Sequence, residues 1–253
     1  MVLGFVSAAI GVAATIALAS GAVLARALTT AAGAVAAVFG SVIVVLVGFP
    51  FLALLILFVV ASVAATRYRF NEKQKARVQE GASGERGVSN VVAHIVIPTA
   101  LAIPGGWSPA LIPAPTLAVL YASALAFGAS DTFASELGVL AGHARSILTL
   151  RPVPPGTNGG VSGIGEAWAF AAAGTTALVG LGLFHLFASP LPSIAVFLAV
   201  VVAAGFLGCQ VDSILGETLE NRGYLSKGST NFLGMLSSVA IAAVLVGLFG
   251  GPW

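Results

Sequence analysis

The run FLALLILFVVASVAA, from Phe51 to Ala65, has one hydroxyl side chain and no charge. A stretch of this composition approaches the ~20 apolar residues that an α-helix needs to cross a hydrocarbon core of ~30 Å. The run GFVSAAIGVAATIALASGAVLA, over residues 4–25, has the same character and reaches that length. Because the alternation of polar and apolar residues that marks barrel strands is absent, these runs predict spanning helices.

The composition extends this interpretation to the whole chain. Of the 253 residues, 58% are hydrophobic and 8% are charged, and the mean hydropathy is +1.04, whereas soluble domains carry about 25% charged residues. The sequence therefore predicts an integral membrane protein, an all-α polytopic helical bundle that forms one transmembrane domain over residues 1–253. No nucleic-acid partner is expected, and the abundant small residues are compatible with close helix packing within one chain or in a homo-oligomer.

Hydropathy along the chain predicts about eight spans. Their approximate bounds are residues 2–25, 29–48, 50–66, 89–104, 115–140, 165–187, 192–216 and 231–249. The first is interpreted as a retained helix rather than a signal peptide, since it lacks a basic start. Pro98, in the fourth span, leaves open a kinked or re-entrant segment at that point.

The distribution of charge predicts the topology. If the spans alternate in direction, all 11 Lys and Arg residues fall on one side of the membrane. They lie mainly in a basic loop at residues 67–88, a glycine-rich loop at 141–164 and a loop at 217–230. The excess of positive charge predicts that this face is cytoplasmic, with both termini outside the cell membrane.

Two acidic stretches end the helices that arrive at this face. DTFASE places Asp131 five residues before Glu136, and DSILGE places Asp212 five residues before Glu217. A loop and a small polar cluster follow each stretch, GTN at residues 156–158 and STN at 229–231. This spacing predicts an internal parallel repeat of spans 5–6 and 7–8 that brings the two acidic pairs together.

A carboxylate at the end of a spanning helix is costly unless it has a partner or a function. Five residues along a helix correspond to about 140°, so one pair does not form a chelate on a single face. The sequence instead predicts that each Asp is an inward ligand and each Glu an outer ligand or a cap, with the site completed across the repeat interface. Oxygen ligands without a Cys or His cluster are typical of Mg²⁺.

The stretch RPVPPGTNGGVS, from Arg151 to Ser162, combines stiff prolines with glycines that leave backbone amides open. Such amides, at the start of a helix, attract a phosphate. The candidate phosphate-binding residues of this loop are Pro155, Gly156, Thr157, Asn158, Gly159, Gly160 and Ser162.

Four more polar residues are candidates for the same site. Arg151 and Lys227 are placed in the two loops where they can neutralise phosphate oxygens. Asn231 begins the last span, and Asn90, in GERGVSN, begins the fourth span on the same predicted face.

With these residues in view, the sequence resembles a known family. The segments ASDTFASELG, RPVPPGTNGGVS and GCQVDSILGETLE, followed by NFLG, resemble those of the integral membrane family that includes the plant and cyanobacterial phytyl-phosphate kinase of tocopherol synthesis. The resemblance covers roughly residues 84–240, and PPGTNGG is its most specific part. It implies transfer of a phosphoryl group from a nucleoside triphosphate, CTP or ATP, to a prenyl monophosphate lipid, giving the diphosphate.

The resemblance also implies roles for individual residues. Asp131, Glu136, Asp212 and Glu217 would hold Mg²⁺, and the loop from Pro155 to Gly160 would cradle phosphates. Asn90 and Asn231 would complete the site. The predicted catalytic residues are Asp131 and Asp212, together with Lys227, which its place in the loop before the last span puts where it can neutralise phosphate oxygens.

Three other functions stay open at this point. A membrane cytidylyltransferase would use the same metal and a lipid phosphate but would transfer the nucleotide. A transporter is suggested by the repeat and the membrane carboxylates, although the polar groups cluster at one face. A scaffold without chemistry leaves the glycine-rich loop unexplained.

Overall fold

The computed structural model describes residues 4–79 and 84–249, and these residues form a helical bundle with one small sheet. The helices are α1 (Phe5–Leu24), α2 (Thr30–Val47), α3 (Phe49–Arg67), α4 (Phe70–Ala76), α5 (Val88–Trp107), α6 (Ala114–Gly138), α7 (Gly163–Leu186), α8 (Ile194–Leu215) and α9 (Lys227–Phe249). All of these except α4 are long and apolar enough to cross a membrane. The prediction of an all-α polytopic bundle with eight spans is confirmed, and α9 begins at Lys227, four residues before the predicted bound.

The fourth span is one continuous helix. Pro98 and Pro104 both lie inside α5, which runs for 20 residues. Nearby, the hydroxyl of Thr99 donates to the carbonyl oxygen of Ile95, at 2.8 Å. The structure therefore shows no re-entrant segment at this point.

Helix α6 is the central element of the bundle. In an 18-residue stretch of α6, 83% of the residues are buried, against 11% to 50% in the other seven spans. It packs against α3, α5, α7, α8 and α9. Glycine permits close approach at these contacts, because a Cβ at Gly205 of α8 would lie 2.6 Å from the Cβ of Ala126. Helix α6 is thus held on several sides, which fixes the position of its last turns.

The connections that follow α1, α3, α6 and α8 lie together at one end of the bundle. The Arg67 guanidinium at the end of α3 donates to the carbonyl oxygen of Ala25, just after α1. Lys73 of α4 pairs with Glu136 at the end of α6. The glycine-rich loop packs on the end of α8, as described below. We call this end of the bundle the site face; its assignment to the cytoplasm stays a prediction, and residues 1–3 and 250–253 lie outside the described residues.

The connection between α6 and α7 contains a three-stranded antiparallel sheet. Strands β1 (Ala144–Ser146), β2 (Pro152–Val153) and β3 (Gly160–Val161) are arranged in the order β2-β1-β3. The connection from α8 to α9 instead begins with a π-helical turn, Gly216–Glu220. The two connections therefore differ, and the predicted internal repeat is not confirmed.

The basic loop predicted at residues 67–88 contains α4. Residues 80–83 of this loop lie outside the described residues. Lys73 of α4 is 1% exposed, so at least this cation is a packing element and not part of a solvated surface.

Candidate functional site

A cavity of about 190 Å³ opens at the site face. It lies between the ends of α6 and α8, the starts of α7 and α9, and the glycine-rich loop. The predicted site residues that line it are Asp131, Asp212, Lys227, Asn231, Pro155, Gly156, Thr157, Asn158, Gly159, Gly160 and Ser162. Residues separated by up to a hundred positions in the sequence thus meet around one small volume.

The two aspartates reach this cavity from crossing helices. Asp212 lies on α8 and Asp131 on α6, close enough for the two carboxylates to act on each other electrostatically. The Oδ1 atom of Asp212 is buried and has no hydrogen-bond partner among the described residues. A Cβ at Gly234 of α9 would lie 2.9 Å from this atom, so the absence of a side chain there admits the carboxylate.

One cation and one further carboxylate lie near Asp212. Lys227, the first residue of α9, and Glu220, in the π-helical turn, both act electrostatically on the Asp212 carboxylate and both line the cavity. A buried carboxylate oxygen without a hydrogen-bond donor, next to a second carboxylate, is costly unless a cation compensates the charge. The arrangement is therefore suited to a divalent cation.

The glycine-rich loop forms the other wall of the cavity that Asp131 and Asp212 line. Gly156 and Gly159 have φ angles of +83° and +74°, a left-handed conformation that glycine adopts without steric cost. Thr157 stabilises the turn that contains Gly156, because its hydroxyl donates to the carbonyl oxygen of Pro154 at 2.7 Å. Within the described residues, the backbone N–H groups of Gly156, Asn158 and Gly159 donate no hydrogen bond, so they remain for an anion.

The loop is seated directly on the end of α8. A Cβ at Gly159 would lie 2.5 Å from the Cβ of Glu217 and 2.7 Å from the carbonyl oxygen of Ser213. The side-chain amide of Asn221 donates to the carbonyl oxygen of Asn158, at 3.1 Å. These contacts fix the distance between the loop amides and Asp212.

We expect Gly159→Ala to displace the loop from α8, because the new Cβ has no room and the φ angle is strained for alanine. Hydrogen exchange of backbone amides in residues 144–162 should become faster in this variant. Gly142→Ala is the matched control, since Gly142 has a φ of +72° but nothing within 4 Å of an added Cβ. Equal exchange in the two variants would show that the Gly159 contact does not hold the loop.

Glu136, a predicted metal ligand, is placed elsewhere. Its Oε2 atom lies 2.6 Å from the Nζ atom of Lys73, in a buried ion pair. The same Nζ donates to the carbonyl oxygens of Ala65 and Thr66, at 2.8 Å and 3.0 Å. Glu136 does not line the cavity; it fastens α4 and the end of α3 to α6.

Glu217, the other predicted outer ligand, supports the loop from behind. It accepts hydrogen bonds from the hydroxyl of Ser146 at 2.6 Å and from the N–H of Leu148 at 3.3 Å. The carboxylate therefore joins the end of α8 to strand β1 and the turn that follows it, and it does not line the cavity.

Two other predicted residues also lie away from the cavity lining. Arg151 is exposed in the connection between β1 and β2. Asn90, on α5, accepts a hydrogen bond from the Nη1 atom of Arg86 at 2.8 Å and lines a different cavity. Ser162 lines the site but also caps α7, since its hydroxyl accepts from the N–H of Gly165 at 3.1 Å.

Several cavity residues were not among the predicted site residues. These are Glu220, Ser213, His143, Ser135 and Cys209, together with Glu166, which accepts a hydrogen bond from Gln210 at 2.8 Å. Asp212, Gly216 and Glu220 are spaced four residues apart, close to one helical turn. This spacing is the sequence signal that could have identified Glu220.

The donor set is compatible with Mg²⁺ held jointly by protein and ligand. Among the described residues, no three His, Cys, Asp or Glu side chains form a group that could hold a metal ion by themselves. Mg²⁺ is usually bound through one or two carboxylates, with water and substrate phosphates completing its coordination. Asp131 and Asp212 fit this pattern, with Asp212 offering an oxygen that no described residue satisfies.

Comparisons with known proteins agree with an integral membrane protein. The family described as "Integral membrane protein DUF92" matches residues 13–238. The chain is 33% identical to an uncharacterized membrane protein of Synechocystis sp. over 203 residues, 76% of this chain and 74% of the relative. It is 29% identical to an uncharacterized membrane protein of Methanocaldococcus jannaschii over 216 residues, 84% and 80% of the two chains. It is 32% identical to Protein PGR of Arabidopsis thaliana over 197 residues, 71% and 67% of the two chains. No solved structure matches.

Proposed function

Because the chain belongs to the DUF92 family of integral membrane proteins, whose matched region contains the whole cavity, we propose that this cavity is the active site of a membrane phosphotransferase. The enzyme transfers the γ-phosphoryl group of a nucleoside triphosphate, CTP or ATP, to phytyl monophosphate or a similar prenyl monophosphate. The observation that carries this proposal is the meeting of Asp131, Asp212 and Lys227 with the unused amides of the glycine-rich loop.

The reaction breaks the bond between the β,γ-bridging oxygen and the γ-phosphorus. A new bond forms between that phosphorus and an oxygen of the prenyl phosphate, and the nucleoside diphosphate leaves. Such transfers require positioning and positive charge around the transferred group more than covalent participation of the protein. The acceptor is already an anion, so the site needs no general base.

Each wall of the cavity has one task in this scheme. Asp131 and Asp212 would hold Mg²⁺, which when bound neutralises charge on the phosphate oxygens. The N–H groups of Gly156, Asn158 and Gly159 donate to phosphate oxygens, as backbone amides do in other phosphate-binding loops. Lys227 adds a positive charge on the side of α9.

The surroundings of the cavity favour an acceptor that resides in the membrane. Ile164 and Trp168, on the first turns of α7, are 48% and 43% exposed. Trp168 packs against Phe133 of α6, with ring centroids 6.2 Å apart and the rings tilted by 48°. An apolar surface of this kind, directly beside the cavity, suits a prenyl chain that lies in the bilayer while its phosphate enters the site.

The experiment that tests the reaction uses purified protein with Mg²⁺, phytyl or geranylgeranyl phosphate, and CTP or ATP labelled at either the α or the γ phosphate. Label should enter the lipid from the γ position alone. Label from the α position would make the protein a cytidylyltransferase or related nucleotidyltransferase that uses the same residues. No transfer from either position, across a panel of lipid phosphates, would contradict the proposal and direct attention to transport.

A further inference from the structure

The cavity at the site face is too small to enclose a whole nucleoside triphosphate. Its volume is about 190 Å³, whereas pockets that enclose ligands of that size usually have ~300 Å³ or more. Phosphates and a metal ion can occupy the space between Asp131, Asp212 and the amides of the glycine-rich loop. The nucleoside then lies at the mouth of the cavity, where the cavity meets water.

His143 lies at this mouth, because it is exposed to solvent and also lines the cavity. It follows a single 3₁₀ turn, Val139–Ala141, at the end of α6 and directly precedes β1. Strand β1 in turn packs on the glycine-rich loop, since a Cβ at Gly160 would lie 3.5 Å from the Cβ of Ala144. The backbone of His143 is thus held between α6 and the loop that offers its amides to phosphate.

A hydrogen bond defines which ring nitrogen of His143 carries a proton. The Nδ1 atom lies 3.0 Å from the carbonyl oxygen of Ala141. A carbonyl oxygen has no proton to donate, so Nδ1 carries the hydrogen and donates it. In the neutral ring Nε2 is then an acceptor, and no described residue donates to it. The mouth of the cavity therefore offers a fixed acceptor to a ligand.

A neutral acceptor at this position suits a base better than a phosphate. Phosphate oxygens accept hydrogen bonds, and a neutral imidazole whose Nδ1 is already engaged has nothing to donate to them. Cytosine and adenine carry an exocyclic amino group, which donates, whereas uracil and guanine carry a carbonyl oxygen at the corresponding position. The Nε2 atom of His143 is therefore complementary to an amino base.

We infer that His143 reads the base of the nucleotide, with Nε2 accepting a hydrogen bond from the exocyclic amino group of cytosine or adenine. This inference rests on the proposed function, because it places the base at the mouth of the same cavity. His143 is in this account a specificity-determining residue with no part in phosphoryl transfer. UTP is the sharpest competitor of CTP, since its O4 atom would set two acceptors against each other.

The test is isothermal titration calorimetry of the purified protein in detergent with Mg²⁺, at about pH 8, where imidazole is neutral. The ligands are CTP, UTP and inorganic triphosphate. The wild type should bind CTP at least about tenfold more tightly than UTP, because a site built to accept from a donor rejects the analogue that lacks it. His143→Leu should bind both nucleotides equally and should bind triphosphate as the wild type does. His143→Gln, whose amide oxygen can accept, should keep part of the preference.

His185→Leu is the matched control. His185 is an exposed histidine in the last turn of α7, at the other end of the bundle, so this variant should keep the full preference for CTP.

Three outcomes would overturn the inference alone and leave the proposed function in place. These are equal binding of CTP and UTP to the wild type, an unchanged preference in His143→Leu, and weaker binding of triphosphate in His143→Leu, which would place His143 on a phosphate. Absence of binding of all three ligands to the wild type would instead overturn the proposed function together with the inference.

Discussion

Replacing Asp212 with Asn should lower the rate of the proposed γ-phosphoryl transfer by a factor of about 10³ or more, and we expect the variant to fold as the wild type does. The amide has the shape of the carboxylate but lacks the charge that would hold a divalent cation, and electrostatic contributions of this kind are commonly the largest in such sites. Asp131→Asn should have a loss of similar size, and the double variant should be little worse than either, because residues that act as a unit are not additive.

Glu217→Gln is the matched control for this prediction. It makes the same change from acid to amide only five residues after Asp212, in the π-helical turn that follows α8. The Glu217 carboxylate, however, contacts Ser146 and Leu148, which do not line the cavity. We expect its rate to stay within about tenfold of the wild type, since an amide oxygen can still accept a hydrogen bond. A loss in Glu217→Gln as large as that in Asp212→Asn would contradict the proposed division between ligands and supports.

Replacing Lys73 with Met should lower the free energy of unfolding by about 3–5 kcal/mol, because it leaves the Glu136 carboxylate buried without its partner. The Nζ atom of Lys73 contacts three oxygen atoms, and the side chains of Lys73 and Glu136 are 0% and 8% exposed. The measurement is the midpoint of thermal unfolding of the purified protein in detergent.

Two variants make this second prediction specific. Lys75→Met changes an exposed lysine of the same short helix and should leave the midpoint unchanged. Lys73→Met combined with Glu136→Leu should recover most of the loss, since two apolar side chains can replace a buried ion pair. A double variant no more stable than Lys73→Met alone would show that packing, and not the unpaired charge, is responsible.

The spans were predictable because each is a local property of the chain. An apolar run of the right length specifies a membrane helix without reference to any other segment, and the predicted bounds are within a few residues of most observed helices. The sheet of the glycine-rich loop was not predictable in this way, because strands of two or three residues show no periodic pattern. Arg145 of β1 pairs with Pro152 and Val161, a relation that only the folded loop defines.

Part of the candidate site was predictable from the positions of its residues along the chain. Asp131, Asp212 and the glycine-rich loop line one cavity, as their positions at the ends of helices suggested. The sequence could not show that Glu136 and Glu217, unlike the two aspartates, lie outside the cavity. Their partners Lys73 and Ser146 are 63 and 71 residues away in the sequence. Tertiary packing decides which of two carboxylates on one helix faces the cavity, and five-residue spacing alone does not reveal it.

The most direct test of the central claim is the binding of Mn²⁺, a spectroscopic substitute for Mg²⁺, to the purified protein in the presence of a non-hydrolysable CTP analogue. Electron paramagnetic resonance should detect one bound ion per chain, with affinity at least tenfold weaker in Asp131→Asn and Asp212→Asn and unchanged in Glu217→Gln. Equal affinity in the wild type and both aspartate variants would contradict the claim that this cavity holds a metal and a nucleotide phosphate together.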